Sequence, residues 1–220
     1  MTALLAHELL QEHDTIVISE AAIKQDGSSG LSAGEAFDRL ALSDLTLMSS
    51  SNDGAYALAY AAGGVLSTDD PANAFVQAMN IRASEIGLTG TYYLNPTGLD
   101  LTLSEGGAYG SARDMAFLME YIITKAPTIL SYTKDPERNI YSEAGVAHDT
   151  ENTNYFVNDI PGLIGSKTGF TDLAGGNLVV AFEAGLNRPI IVVVLGSTRQ
   201  DRFTDVMTLV EEAKKYISNS

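Results

Sequence analysis

The spacing of hydrophobic residues changes about two thirds of the way along the chain. Up to about residue 130, apolar side chains recur three or four positions apart, which is the spacing of a helix that buries one face. Beyond about residue 160 they form short continuous runs, which are typical of strands. The pattern therefore predicts a helical first part and a sheet in the last third.

Several segments of the first part carry helical signals. The opening segment places Met1, Leu5 and Leu9 four residues apart on one face. Two later helices have capping residues, Asp70 before a proline and Ser111 before an acidic first turn. The predicted helices are the opening segment, Ala36 to about Leu47, the alanine-rich segment after Asn52 that Gly63 and Gly64 should stop, Pro71 to Ile86 before Gly87, and the segment from Ser111 to Pro127.

The last third predicts three strands and a closing helix. The strands are Gly165 to Phe170, Asn177 to Phe182 and Ile190 to Leu195, with a further short strand expected earlier at Thr15 to Ser19. We expect the strand at Ile190 to lie centrally in the sheet, because all six of its residues are apolar. A helix from about Arg199 should lie across the sheet. The predicted fold class is α+β, an antiparallel sheet flanked by helices plus a helical lobe.

Composition fits a single globular domain. The chain has 220 residues, of which 45% are hydrophobic and 19% charged, so it is long enough to bury a substantial core. We expect one domain over 1–220, with the helical lobe at about 36–130 and the sheet and C-terminal helix at about 160–217. The short apolar stretch at the start, followed by Glu8 and Glu12, is neither a signal peptide nor a spanning helix.

Charge and residue usage exclude several functions. A formal net charge of −15 without a basic cluster argues against nucleic acid as a partner. The absence of cysteine excludes disulfides and thiolate metal sites. His7, His13 and His148 show no metal-ligand spacing, and neither a phosphate-binding loop nor a Gly-x-Ser-x-Gly elbow occurs. We expect no metal and no cofactor.

Two short motifs carry the candidate chemistry. Ser50-Ser51-Asn52 lies between two predicted helices, and Lys167-Thr168-Gly169 lies in a predicted strand. Each is weak alone, since a Ser/Asn turn between helices is usually a cap and a Lys-Thr-Gly tripeptide occurs by chance. Together they are two of the three elements of the penicillin-binding serine enzymes.

The neighbouring segments make the resemblance specific. The chain resembles the low-molecular-mass D-alanyl-D-alanine carboxypeptidases of the peptidase S11 family, in order and over almost its whole length. The segments that carry the resemblance are LMSSSNDGAYALA, AFVQAMNIRASEIGLTGTYYLNPTGLD, GSARDMAFLMEYI, the tripeptide NTN at 152–154 and GLIGSKTGFTDLAGGNLV.

The third family element is not found where the family has it. The family's Ser-x-x-Lys, which carries the acylated serine and its lysine, runs directly into a Met-Thr-Ala-Leu helix, and Met1 to Leu4 is where this sequence begins. We therefore expect the sequence to be truncated after that motif, without the family's first strands, and inactive as given. Ser131 to Lys134 also spells Ser-x-x-Lys, but it lies between the other two motifs and is interpreted as an exposed turn.

The resemblance implies roles for six residues. Ser50 would relay a proton to the leaving D-alanine, and Asn52 would orient the catalytic lysine or the substrate amide. Lys167 and Thr168 would bind the terminal carboxylate of the peptide. The remaining two are Gly169, which lets the substrate backbone approach, and Phe170, whose N–H would be half of an oxyanion hole. On sequence alone, Ser50 lacks an adjacent activated base, and Asp53, Asp100 and Asp114 are interpreted as structural.

The implied partners are peptidoglycan stem peptides ending in D-Ala-D-Ala, with β-lactams as inhibitors, and the implied location of a full-length parent is the cell envelope. Three alternatives stay open. A class A β-lactamase shares the motif set, although it typically carries Ser-Asp-Asn where this chain has Ser50-Ser51-Asn52. A D,D-endopeptidase uses the same chemistry on cross-links, and a non-catalytic module would bind stem peptides without cutting them.

Overall fold

A computed structural model describes residues 1–218 and confirms the α+β class. Its elements alternate helical and extended segments before ending in a three-stranded sheet and a long helix. The helices are α1 (Thr2–Leu9), α2 (Arg39–Ser49), α3 (Asn52–Leu66), α4 (Pro71–Ile86), α5 (Ala112–Lys125) and α6 (Asp201–Ser218). The strands are β1 (Thr15–Val17), β2 (Ala36–Asp38), β3 (Tyr92–Tyr93), β4 (Ala108–Tyr109), β5 (Glu137–Tyr141), β6 (Ala147–Glu151), β7 (Leu163–Thr171), β8 (Gly175–Glu183) and β9 (Pro189–Ser197).

The main sheet is antiparallel in the order β7-β8-β9. Alternate residues of β8 face opposite sides, as the two-residue period of a strand requires. Leu178, Val180 and Phe182 are buried against α6, while Ala181 belongs to the core shared with the helical lobe. The sheet is thus covered on both faces, which explains its continuous apolar runs.

The helical lobe packs α2, α3 and α4 around fully buried side chains. Helical spacing places these side chains on the inward faces, as the sequence pattern predicts. The largest of them on the helices are Leu42, Leu45, Met48, Leu58, Phe75 and Met79, and Phe37 of β2 belongs to the same core.

Three predictions about these elements are wrong. Among residues 1–218, β9 is an edge strand and β8 is central; β9 is apolar because helices cover both faces of the sheet, not because strands flank it. Residues 36–38 form β2, and α2 begins only at Arg39, since the Asp38 side chain caps it by accepting from the Ala41 amide at 2.7 Å. Helix α3 continues through Gly63 to Leu66.

The hairpin of β5 and β6 was not predicted from the sequence. His148, on β6, lies 2.7 Å from the Glu35 carboxylate, and the two side chains are 11% and 10% exposed. This contact ties the hairpin to the segment before β2, so His148 has a structural partner far from the motifs singled out above.

Neither a membrane-spanning helix nor a metal-binding cluster is found among residues 1–218. No helix in this range combines the length and apolar character needed to cross a membrane. No group of three or more His, Asp or Glu side chains in this range is arranged to hold a metal ion.

Asp44, on α2, is a buried carboxyl group with a testable effect on stability. Burial raises its pKa to about 7, although Arg138 and Arg39 oppose the shift. The folded pKa lies above the unfolded value, so the folded state binds the proton more tightly and loses stability as pH rises from about 4 to 7. Asp44→Asn is therefore expected to be more stable than the parent by about 2 kcal/mol at pH 8. The gain should vanish near pH 4 in urea unfolding.

Asp69→Asn, at an exposed position, is the matched control and should leave the pH dependence unchanged. An Asp44→Asn variant whose stability follows the parent at both pH values would contradict the assignment.

Candidate active site

Ser50 stands at a tight corner between two helices. Helix α2 ends at Ser49, and Ser50 adopts the left-handed conformation with φ 57°, which is uncommon for a residue other than glycine. Helix α3 then begins at Asn52, because the Ser51 hydroxyl caps it by accepting from the Gly54 amide at 2.8 Å. Two packed helices therefore fix the backbone of the Ser-Ser-Asn segment.

Strand β7 brings Lys167 to this corner. The Lys167 Nζ donates to Ser50 Oγ at 2.6 Å and to the Thr168 carbonyl at 2.7 Å. The two sequence motifs, 117 positions apart, thus meet across one cleft. Ser50 therefore has an amine beside it, but that amine donates the hydrogen bond; the expectation that Ser50 lacks an adjacent activated base stays a prediction.

The Lys167 ammonium is a cation in a partly enclosed place. Burial lowers the pKa of Lys167 to about 8, and the positive charge of Arg202 adds to the effect. Its hydrogen-bond acceptors are a hydroxyl and a carbonyl, and no carboxylate of residues 1–218 forms an ion pair with it. A partly desolvated cation without a counter-ion attracts an anionic ligand group.

Arg202 is a second cation at the cleft, and sequence reasoning missed it. It lies in the first turn of α6, is buried, and donates from Nη1 to the Gly169 carbonyl at 2.7 Å. Its Nε is buried with no partner among the described residues. Burial, with Arg199 nearby, lowers the pKa of Arg202. The local sequence gives no sign that the start of this helix returns to β7.

All six predicted site residues line one cavity of about 720 Å³. The wall from the helical lobe carries Ser50 and Asn52, and β7 supplies the opposite wall. β7 pairs only with β8 among the described residues, so no strand covers its other edge, although the Ser166 amide donates to the Thr133 hydroxyl at 3.2 Å. A β-carbon at Gly169 would meet only Asn177 at 3.7 Å, so internal packing does not require glycine there.

The loop at 25–35 is mostly exposed, but part of it supports the corner. Asn52 Nδ2 donates to the Asp26 carbonyl at 2.7 Å. The Ser29 hydroxyl contacts Ser51 Oγ at 2.6 Å and donates to Asp53 Oδ2 at 3.1 Å. These bonds fix the Asn52 amide group and give Asp53 the structural role expected from sequence.

Other residues considered from the sequence lie elsewhere. Asp114 accepts from the Gly90 amide at 2.7 Å and from the Thr91 hydroxyl at 2.9 Å, which confirms a structural role. Asp100 likewise accepts from the amide of Leu173. The Ser-x-x-Lys segment at Ser131 to Lys134 begins just after a 3-10 turn. Neither its serine nor its exposed lysine lines the cavity.

Comparison with known proteins gives consistent matches. The peptidase S11 family model, described as D-alanyl-D-alanine carboxypeptidase, matches residues 1–199. The chain is 32% identical over 219 residues to D-alanyl-D-alanine carboxypeptidase DacF of Bacillus subtilis, covering 97% of this chain and 54% of that protein. It is 33% identical over 191 residues to a D-alanyl-D-alanine endopeptidase of Pseudomonas aeruginosa, covering 84% and 56% respectively. The chain thus spans somewhat more than half the length of these relatives.

Solved structures show the same fold. The D-alanyl-D-alanine carboxypeptidase of Mycobacterium tuberculosis superposes with a TM-score of 0.79 at 25% identity, over 96% of this chain and 78% of that chain. Penicillin-binding protein D2 of Listeria monocytogenes in its ampicillin-bound form gives 0.71 at 26% identity, over 96% and 84%.

Proposed function

The chain belongs to the peptidase S11 family of D-alanyl-D-alanine carboxypeptidases, and on that premise we propose that its cleft binds peptidoglycan stem peptides ending in D-Ala-D-Ala. The observation that carries the proposal is the Lys167 ammonium, which lies 2.6 Å from Ser50 and has no carboxylate partner among the described residues. Such peptides belong to the cell envelope, which is the proposed site of action.

The terminal carboxylate of the peptide is proposed to bind at the cationic end of the cleft. Lys167 and Arg202 lie close enough for the Arg202 charge to lower the pKa of Lys167, and both line the same cavity as Thr168. A carboxylate there accepts charge-assisted hydrogen bonds, which are stronger than neutral ones. The overall charge of −15 repels anions at long range, so this local cationic pair must supply the attraction.

The peptide backbone is proposed to lie along the open edge of β7. An edge strand offers unpaired amide and carbonyl groups, to which an extended peptide adds as a further strand. Gly169 leaves room for that approach because it projects no side chain. The Phe170 N–H is proposed as one donor of an oxyanion hole.

Acyl transfer by a serine enzyme needs a serine hydroxyl and a base beside the scissile carbonyl. Ser50 and Asn52 are proposed to relay a proton and orient the reacting groups. Lys167 is mostly protonated at pH 7, given its pKa of about 8, and a protonated amine cannot take the Ser50 proton. We therefore expect the 220-residue chain to bind the peptide without releasing D-alanine. In the serine carboxypeptidase reaction, D-alanine is released when the serine of a Ser-x-x-Lys motif forms the acyl-enzyme.

Isothermal titration with an acylated L-Lys-D-Ala-D-Ala peptide tests this function. The same peptide with a C-terminal amide and its L-Ala-L-Ala counterpart are the matched ligands, and a cross-linked dimer tests the endopeptidase alternative suggested by the Pseudomonas relative. We expect binding to the D-Ala-D-Ala acid, weaker binding to the amide, and no free D-alanine. Equal binding of acid and amide would rule out the carboxylate site.

Fluorescent penicillin followed by a denaturing gel tests the covalent step separately. Ampicillin is bound in the similar Listeria structure, and we propose that β-lactams occupy the same cleft here. We expect reversible competition with the peptide and no covalent label. A label on any serine would show that the chain forms an acyl-enzyme, and rapid turnover of a chromogenic cephalosporin would favour the β-lactamase alternative.

A further inference from the structure

The tripeptide Asn152-Thr153-Asn154 lies behind the cleft and joins three parts of the fold. Asn152 Nδ2 donates to the carbonyls of Thr133 and Asp135, both at 2.9 Å. Asn154 Nδ2 donates to Ser166 Oγ on β7 at 3.0 Å. Both asparagines are buried, so their bonds hold the residue between them in one place.

Thr153 is the member of the tripeptide that lines the cleft. Its amide donates to the Met48 carbonyl at 3.0 Å, two residues before Ser50. Its hydroxyl lies 2.6 Å from the Thr168 hydroxyl and 3.3 Å from the same Met48 carbonyl. Thr153 therefore touches both the backbone that leads to Ser50 and the hydroxyl that follows Lys167.

The number of hydroxyl protons limits how the hydrogen bonds between Thr153, Thr168 and the Met48 carbonyl can be arranged. Each threonine hydroxyl has one proton to donate. When Thr153 donates to Met48, the Thr168 hydroxyl must donate to Thr153, so its proton points away from the cleft. When Thr153 donates to Thr168 instead, the Thr168 proton is free for a ligand. The Met48 carbonyl keeps the Thr153 amide as a donor in both arrangements.

The geometry points to Thr153 as a positioning residue that directs the Thr168 proton towards the carboxylate of a bound peptide; this inference rests on the proposed function. When the peptide binds, Thr153 becomes the donor to Thr168. The 3.3 Å hydrogen bond from Thr153 to the Met48 carbonyl is lost, and the 2.6 Å contact between the two hydroxyls is kept. The resulting line of bonds from Thr153 through Thr168 to the carboxylate is mutually polarising. In this arrangement Thr153 acts on the carboxylate through the Thr168 hydroxyl.

Titration of five variants with the D-Ala-D-Ala acid and its C-terminal amide tests the inference. Thr153→Val removes the hydroxyl and keeps the shape, and it should weaken binding of the acid by about 3–10-fold while leaving the amide unchanged. Thr153→Ser restores the hydroxyl and should return the affinity to within about 2-fold of the parent. In a Thr168→Val background, adding Thr153→Val should have no further effect, because the proton it directs is gone. Thr208→Val, at an exposed position on α6, is the control.

The outcomes separate this inference from the proposed function. Equal losses for acid and amide, or additive effects of Thr153→Val and Thr168→Val, would indicate a structural role and overturn the inference. A Thr153→Val variant that keeps the parent's preference for the acid would overturn it and leave the proposed function standing. A parent chain that does not distinguish acid from amide would overturn both. Thermal unfolding of each variant checks that the fold is retained.

Discussion

Lys167→Met is expected to weaken binding of a D-Ala-D-Ala peptide by about 100-fold. Methionine keeps an unbranched side chain of similar reach but removes the charge that the peptide carboxylate would meet. Lys134→Met, at an exposed position outside the cleft, is the matched control and should bind as the parent does. Isothermal titration at pH 7 measures the difference, and a methionine variant with the parent's affinity would show that Lys167 is not the anion site.

The pH dependence of peptide affinity tests the role of Lys167 in a second way. Only protonated Lys167 attracts the carboxylate, so the parent's affinity should be constant below about pH 8 and fall as pH rises above the Lys167 pKa of about 8. The affinity of Lys167→Met should not change over that interval. A parallel decline in both proteins would assign the titration to another group.

Misfolding would not explain a loss of binding in this variant. The folded pKa of Lys167 lies below its unfolded value of 10.5, so the unfolded state binds the proton more tightly, and stability rises with pH from about 8 to 10.5. At pH 7 the enclosed charge therefore destabilises the fold. Lys167→Met is expected to be at least as stable as the parent there in urea unfolding.

Gly63→Ala is expected to destabilise the fold by about 3 kcal/mol or more. A β-carbon at Gly63 would lie 1.9 Å from the Pro71 carbonyl oxygen, which is backbone and cannot move aside locally. Helices α3 and α4 would have to separate at this contact. Urea unfolding measures the loss of free energy.

Gly64→Ala, one position along the same helix, is the control. A β-carbon there would meet nothing within 4 Å, and alanine favours helix over glycine by about 0.5–1 kcal/mol. The two neighbouring substitutions should therefore have opposite signs. Two equal effects would mean that helix propensity, and not the contact with Pro71, decides the response at Gly63.

Local signals predicted most of the secondary structure. Asp70 with Pro71 and Gly87 define α4, and Ser111 defines the start of α5, because caps and turns act within a few residues of themselves. The same local view failed at Gly63. Glycine usually weakens a helix, but here its missing side chain permits a tertiary contact that the neighbouring sequence does not reveal.

The residues of the candidate site also fall into two groups, those that the sequence predicted and those that only the fold revealed. Motifs in order along the chain were enough to predict Ser50 and Lys167, since the family resemblance preserves residue type and sequence. Arg202 carries no such motif, and the resemblance includes Thr153 in the tripeptide at 152–154 without giving it a role. Their relevance comes from bonds to Gly169 and Thr168, which exist only after α6 and the tripeptide at 152–154 have packed against β7.

The sequence by itself determined the α+β class, the family, and which short polar segments deserve a chemical role. Periodicity, caps and motifs are properties of neighbouring residues, so they can be read without a fold. Only the tertiary structure decided that β8 is central, that Lys167 lies beside Ser50 with a lowered pKa, and that Arg202 and Thr153 share the cleft. These facts depend on the close packing of whole faces of helices and strands, which brings residues more than a hundred positions apart into contact and removes water from around a charge.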